Sequence, residues 1–242
     1  MDKQDDVYIK GNLSGLPFSF NKEVTGVFED MISRSVPGYQ SSLNLIKNIS
    51  SKYITNDSLS YDLGCSLGAS SKAILEGSRN IKSKLISIDN SPTMIEACKH
   101  NFSKEISKGK VSFVREDISE IEFQPSSFLS LNYVLQFLPL LDRDNLIRKI
   151  HYSLTAQGGL LISEKINLLS KKQNDSLIRL HHGFKSAHGY SELEISSKRD
   201  ALEGVLITET EEDHLKRFKS VGFTTGIKLM QNLNFITYLF LK

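Results

Sequence analysis

The segment Tyr61-Asp62-Leu63-Gly64-Cys65-Ser66-Leu67-Gly68-Ala69 constrains this chain more than any other. It follows a short strand-like run, Leu59 to Leu63, and precedes a helical stretch from about Ser70 to Gly77. Small residues at 64, 66, 68 and 69 let the backbone turn sharply and approach a ligand closely. The helix that follows presents free N–H groups and the positive end of its dipole, which suit a carboxylate or a phosphate. The flanking pattern extends the same theme. Lys84 to Asp89 reads as a second strand, and Asn90-Ser91-Pro92 starts a helix with a capping side chain and a first-turn proline. Met94, Ile95 and Cys98 form that helix's buried face. Val111 to Val114 and Ser127 to Tyr133 are further strands. A helix through Leu146, Ile147, Ile150 and Leu154 ends near Gly158-Gly159, and Leu160 to Ser163 is a fifth strand. Strands alternating with helices predict a parallel sheet covered on both faces.

The ends depart from this rhythm. The first ten residues read as a loose tail. Residues 1–57 otherwise carry helices: one from Asn21, with Val24, Val27, Phe28, Met31 and Ile32 on one face, stopped by Pro37-Gly38, and one through Leu43, Leu45, Ile46 and Ile49. Residues 165–212 are polar and read as a helical insertion within a single domain spanning 1–242. Leu215 and Phe218 lie on a helix closing at Val221-Gly222-Phe223, and two final strand-like runs form a terminal antiparallel hairpin. A net charge of +2, from 30 basic and 28 acidic side chains, makes no case for direct nucleic-acid or membrane binding. The charged N-terminus is no secretory signal, no run of about 18 apolar residues spans a membrane, and Cys65 and Cys98 suggest a reducing compartment. The expected location is the cytoplasm.

Two cofactor readings compete at the loop. A dinucleotide fingerprint wants glycines at 64, 66 and 69, where Ser66 and Ala69 break it. The spacing Asp62, Gly64, Ser66, Gly68 instead resembles the first motif of class I S-adenosylmethionine-dependent methyltransferases, except that glycine is usual at 66. The Ser66 hydroxyl is a donor for the methionine carboxylate. Asp89, at the end of the second strand, is placed to accept from ribose hydroxyls. Asp117 can accept from the adenine amino group while Ile118 packs on the ring, a third element that a dinucleotide site does not ask for. Asn132 ends the fourth strand beneath the sulfonium. The bland readings are a tight turn without ligand, a solvated strand-end aspartate and a surface loop. No Asp-Pro-Pro-Tyr or Asn-Pro-Pro-Tyr run argues for amino methylation. His181, His182 and His188 lack metal-ligand spacing and read as a polar helix surface, with no metal expected. Cys65 reads as a packing residue whose pKa a helix N-terminus would lower.

Further segments, Ser35-Val36-Pro37-Gly38-Tyr39, Ile88-Asp89-Asn90-Ser91-Pro92 and Ser163-Glu164-Lys165, stand beside His182-Gly183-Phe184-Lys185, Gly189-Tyr190-Ser191-Glu192-Leu193-Glu194-Ile195-Ser196 and Lys198-Arg199. With these, the chain resembles the carboxy-S-adenosyl-L-methionine synthases from about Phe18 to the last strand. The segments at 182–199 are more specific than the loop, which any class I methyltransferase could show. The resemblance implies an α/β, Rossmann-like class I methyltransferase fold. It implies conversion of S-adenosyl-L-methionine and prephenate to carboxy-S-adenosyl-L-methionine, phenylpyruvate and water. The product would supply a partner carboxymethyltransferase that modifies wobble uridine in tRNA, and a homodimer is implied.

By the same resemblance Tyr39, Gly64, Cys65, Ser66, Asp89, Asn90, Asp117, Ile118, Asn132 and Arg199 line the cofactor site. Arg199 is the expected catalytic residue, because a guanidinium binds a carboxylate through paired hydrogen bonds. A surface arginine paired with Glu194 or Glu203 is the plain alternative. Tyr190, Arg179 and Lys198 are the candidates for gripping prephenate. The competing functions are a conventional S-adenosylmethionine-dependent methyltransferase, a non-catalytic S-adenosylmethionine-binding protein and, third, a nicotinamide oxidoreductase.

Overall fold

A computed structural model describes residues 5–7 and 16–242. Most of the expected loose tail, residues 1–4 and 8–10, lies outside the described residues. Asp5 and Val7 are not loose: both are buried, Asp5 in an ion pair with Lys198 at 2.8 Å.

The single helix expected from Asn21 is two. Asn21 caps α1 (Lys22–Thr25), its side chain accepting from the Val24 N–H at 3.0 Å. Gly26 ends α1 after one turn, its N–H folding back onto Lys22 and Val24 carbonyls. α2 (Phe28–Ser35) then starts in a new direction, and α3 (Tyr39–Tyr53) follows the left-handed Gly38. From there the alternation holds: β1 (Leu59–Leu63), α4 (Ala69–Gly77), β2 (Lys84–Asp89), α5 (Pro92–Asn101), α6 (Ser103–Ser107), β3 (Val111–Arg115), β4 (Ser126–Asn132), α7 (Leu140–Ser153) and β5 (Leu154–Asn167). The polar stretch carries α8 (Lys171–Ala187), α9 (Glu192–Leu202) and the short β6 (Glu209–Thr210). α10 (Glu211–Val221), β7 (Thr225–Asn232) and β8 (Phe235–Leu241) complete the chain.

The sheet order is β3-β2-β1-β4-β5-β8-β7, with β6 beside β5. β1 to β5 run parallel, and β8 is antiparallel to both β5 and β7. The central strands β1 and β4 are buried on both faces, as a covered parallel sheet requires, whereas the edge strand β7 is largely exposed. Leu63, Ile88, Leu129 and Leu131 pack with Ile147, Ile150 and Phe218 on one side. Leu85, Phe128 and Leu161 pack with Ile46, Ile74 and Ile95 on the other. The chain leaves β1 toward β2 and β3, then returns to place β4 on β1's other flank. That reversal opens a crevice at the carboxyl ends of β1 and β4, where such sheets bind ligands.

The end of α7 and the buried face of α10 differ from the sequence reading. α7 stops at Ser153, and Leu154 already belongs to β5, because the ladder with β4 shifts register between Ser126 and Phe128 and draws in the extra residues. On α10 the buried pair is His214 and Phe218, four apart, whereas Leu215 is turned outward. Among the described residues no helix is long and apolar enough to cross a membrane.

α4 lies against α3 at Gly77, where a Cβ would fall 2.2 Å from Ser50 Oγ and 2.3 Å from the Lys47 carbonyl oxygen. Gly77→Ala must push the helices apart and is expected to lower stability by about 1–3 kcal/mol, read as a shifted midpoint in urea unfolding.

Candidate active site

The loop after β1 is held by β2. The N–H groups of Gly64 and Cys65 both donate to the Ile88 carbonyl, at 2.8 and 2.9 Å. The Ser66 N–H donates to Asp89 Oδ2 at 2.9 Å, and the Ser91 N–H donates to Asp89 Oδ1 at 2.9 Å. One carboxylate thus fixes both the loop and the start of α5. Gly64 has φ +69°, and a Cβ there would lie 2.6 Å from Val134. Ser66 also adopts a left-handed conformation, φ 49°, which explains why glycine is the usual residue there. Its hydroxyl points to Met94 Sδ at 3.6 Å. Asp62 does not reach the cavity. It is 1% exposed and accepts from Ser71 Oγ at 2.6 Å, bracing the first turn of α4 from below. Burial raises its carboxyl to about 7.

The loop borders a cavity of about 600 Å³, within the range of small-molecule sites. Tyr39, Gly64, Cys65, Ser66, Asp89, Asn90, Asp117, Ile118 and Asn132 all lie on its wall. α4 begins at Gly68 with no side-chain cap, so its first N–H groups have no side-chain acceptor. Asp117 uses Oδ1 to accept from the N–H and hydroxyl of Ser119, at 2.9 and 2.7 Å. Asn132 donates from Nδ2 to Ser70 Oγ at 3.2 Å, while its buried Oδ1 has no partner. An unpaired buried acceptor on a cavity wall fits a polar ligand. The tyrosine hydroxyls of Tyr39 and Tyr133 are raised above their ordinary range by burial, so both stay protonated at neutral pH. The Cys65 thiol is also pushed up, by its contact with Cys98 and then by burial, opposite to the lowering expected from the helix end.

The cavity continues away from the glycine loop. Phe20 is its aromatic roof, 5.4 Å from Phe137 and 5.0 Å from Phe18 between ring centroids. The far wall carries three lysines, Lys165 from β5, Lys185 from α8 and Lys198 from α9, with His181 of α8 beside them. His181 is therefore not on a polar helix surface. It is buried, shares a 2.7 Å hydrogen bond with the Ser35 carbonyl, and is pushed down to about 3, first by burial. Glu164, buried between these regions, accepts from the Leu135 and Gln136 N–H groups at 2.8 and 3.1 Å and so fixes the turn after β4. Among the described residues no group of three or more His, Cys, Asp or Glu side chains comes together as a metal site.

Arg199 is placed elsewhere. Its side chain is 62% exposed and paired with Asp200 at 2.9 Å, rather than with Glu194 or Glu203. Arg179 is exposed and bonds Ser176. Tyr190 is buried but gives its hydroxyl to Asp5. Of the three donor-gripping candidates only Lys198 borders the cavity. The motif segments at 163–165 and 182–185 contain Lys165 and Lys185, but nothing in their local pattern separates a buried lysine from a solvated one.

Residues 61–158 match the family model described as a methyltransferase domain. A carboxy-S-adenosyl-L-methionine synthase of Shewanella sediminis is 41% identical over 99% of this chain and 98% of its own length. A protein of the same name from Histophilus somni is 44% identical over 90% of each chain. Among solved structures, an O-methyltransferase family protein from Burkholderia thailandensis superposes with a TM-score of 0.64 at 12% identity, covering 92% of this chain and 60% of that one. Human N-acetylserotonin methyltransferase in complex with SAM gives 0.60 at 17% identity, with 91% of this chain and 55% of that one covered. The chain thus spans little more than half of these structural neighbours, and the likeness to them shows a class I methyltransferase fold.

Two substitutions probe the loop. Asp89→Ala removes the acceptor that organises it and is expected to weaken S-adenosylhomocysteine binding about 10- to 100-fold by calorimetry. Ser66→Gly relieves the left-handed strain and is expected to raise stability by about 1 kcal/mol, measured by urea unfolding.

Proposed function

The chain belongs to the carboxy-S-adenosyl-L-methionine synthases, and we propose that it carboxylates the methyl group of S-adenosyl-L-methionine, with prephenate as carboxyl donor and phenylpyruvate and water as by-products. The observation that carries this reading is a single cavity with a nucleoside-type cradle at one end and cations at the other. A site for plain methyl transfer has no need of the second end.

The residues fit the substrate. The uncapped start of α4 receives the methionine carboxylate. Asp89 and Asp117 keep lone pairs for the ribose hydroxyls and the adenine amino group, and Ile118 packs on the base. The unpartnered Oδ1 of Asn132 faces the positive sulfur end. In the reaction, the donor ring becomes aromatic as it loses carbon dioxide and hydroxide. The hydroxide takes a proton from the sulfonium methyl group and becomes the water released. The carbon left with the electron pair then bonds the carbon dioxide. No side chain need act as a strong base, consistent with tyrosines held protonated. The roof formed by Phe18, Phe20 and Phe137 keeps bulk water from the reacting carbon.

Arg199 acts in this reading across a homodimer. Lys198 faces its own cavity, so the next residue on α9 faces outward. The surrounding helices expose Ile178, Leu180 and Leu193, an apolar surface that supports self-association. From a second copy, Arg199 pairs with the new carboxylate of the product. The free thiols Cys65 and Cys98 support a cytoplasmic location, where the product feeds the enzyme that carboxymethylates wobble uridine.

Mass spectrometry of small molecules released on denaturing the purified protein is expected to find S-adenosylmethionine heavier by one carbon dioxide. Finding only S-adenosylmethionine, unchanged after prephenate is added, would return the protein to methyl transfer or simple binding. Arg199→Ala and Asp89→Ala chains are each expected to be inactive alone. Co-expressed, they regain activity in mixed dimers that carry one intact site, and an active Arg199→Ala protein would remove this role.

A further inference from the structure

Lys198, Lys165 and Lys185 share the far wall of the cavity but not the same electrostatic state. Lys198 is neutralised by Asp5 at 2.8 Å and further bonded to the Tyr190 hydroxyl at 3.0 Å and Ser35 Oγ at 3.2 Å. Lys165 and Lys185 make no ion pair with any carboxylate among the described residues. Among the described residues, the nearest partner of the Lys165 ammonium is the Phe235 ring, 5.9 Å from its nitrogen. Lys185 is 8% exposed. Burial pushes both ammonium groups down, Lys185 to about 7, and the charges of Lys165 and Lys198 push Lys185 in the same direction.

The other groups around them offer no compensation. His181 is neutral and already bonded to the Ser35 carbonyl. His182, the next residue on α8, is itself lowered, by burial first and then by the charges of Lys185, Arg199 and Lys165. Arg34 and Asp30 on α2 satisfy each other at 2.5 Å. Glu29, Asp89, Glu116 and Asp117 also border the cavity but shift neither lysine. One buried lysine, Lys185, and one half-buried lysine, Lys165, neither paired with a carboxylate among the described residues, are costly. Their placement in a cavity gives that cost a use when an anion enters.

We infer that Lys165 and Lys185 form the anion subsite of this cavity and bind the two carboxylates of the carboxyl donor, one ammonium to each; the assignment rests on reading the cavity as a carboxylating site. A dianion satisfies both cations at once. The by-product keeps one carboxylate, leaves one lysine unpaired and so is held less tightly, which favours its release. Entry of the dianion also restores the proton on Lys185, so donor affinity falls as pH rises above about 7.

The test titrates prephenate into protein saturated with S-adenosylhomocysteine, which has no methyl group to carboxylate. Wild type is expected to bind prephenate with proton uptake at pH 8, seen as a binding heat that depends on the buffer's ionisation enthalpy. Lys165→Met and Lys185→Met are each expected to weaken prephenate about 10- to 100-fold, to leave S-adenosylhomocysteine affinity unchanged, and in Lys185→Met to abolish the uptake. Both ligand-free variants should melt higher than wild type. A lysine whose folded pKa is depressed penalises folding fully below that pKa, so the Lys185→Met gain is complete below about pH 7 and fades toward pH 10. Variants that bind prephenate like wild type, while wild type still makes the carboxylated product, would overturn the subsite and leave the function standing. Wild type that binds S-adenosylhomocysteine but neither binds prephenate nor makes that product would overturn both.

Discussion

Asp89 ties together most of what gives this molecule a site. Its two oxygens accept from the glycine loop and from the first residues of α5, so one side chain sets the distance between the turn after β1 and the turn after β2. The Ile88 carbonyl adds two backbone bonds to the same loop. Beneath it, Asp62 reaches Ser71, which in turn meets Ser87 on β2 at 2.8 Å. The loop is therefore rigid before any ligand arrives, and a rigid cradle loses less entropy on binding than a mobile one. The left-handed backbone of Ser66 is tolerated because these bonds over-determine it.

The buried charges follow two different rules. The acids inside the protein are each answered locally: Asp89 and Glu164 by backbone N–H groups, Asp62 by a hydroxyl, Asp5 by a lysine. Arg143, wholly buried, is likewise answered by Glu209 at 2.5 Å and by the Leu138 and Ile207 carbonyls. Lys165 and Lys185 break this pattern, and they do so on the cavity wall. The fold answers these acids and Arg143 but leaves the two lysines where a substrate can pair them.

Much of the framework was legible in the sequence because it depends on short-range signals. β1 and β2 coincide with the apolar runs Leu59–Leu63 and Lys84–Asp89, and Ser91-Pro92 starts α5 as its capping chemistry requires. The wall residues from Gly64 to Asn132 sit at strand ends and turns whose positions follow from that alternation, whereas Tyr39 opens α3. The sequence is mute where distant contacts decide. Apolar spacing ran continuously through Gly26, yet Thr25 and the Gly26 N–H close the turn and split the helix. His181 and Lys185 lie on an otherwise polar helix and look solvated in sequence. They are buried because α2 and the strands arrive from far along the chain. Arg199 carries no local mark of exposure, since only the facing of its neighbour Lys198 shows which way it points.

The ion pair between Asp5 and Lys198 has a consequence for how the molecule comes into being. It joins residues 193 positions apart, and Phe18 likewise bonds to Ala201 through the backbone. The residues that line the nucleoside cradle have all been made once the chain is supplied through Asn132. The opposite wall awaits α9, so Asp5 lacks its lysine until that helix has emerged. Assembly thus separates the two halves in time: a nascent chain acquires the means to hold its nucleoside well before it acquires the enclosure in which that nucleoside can be altered.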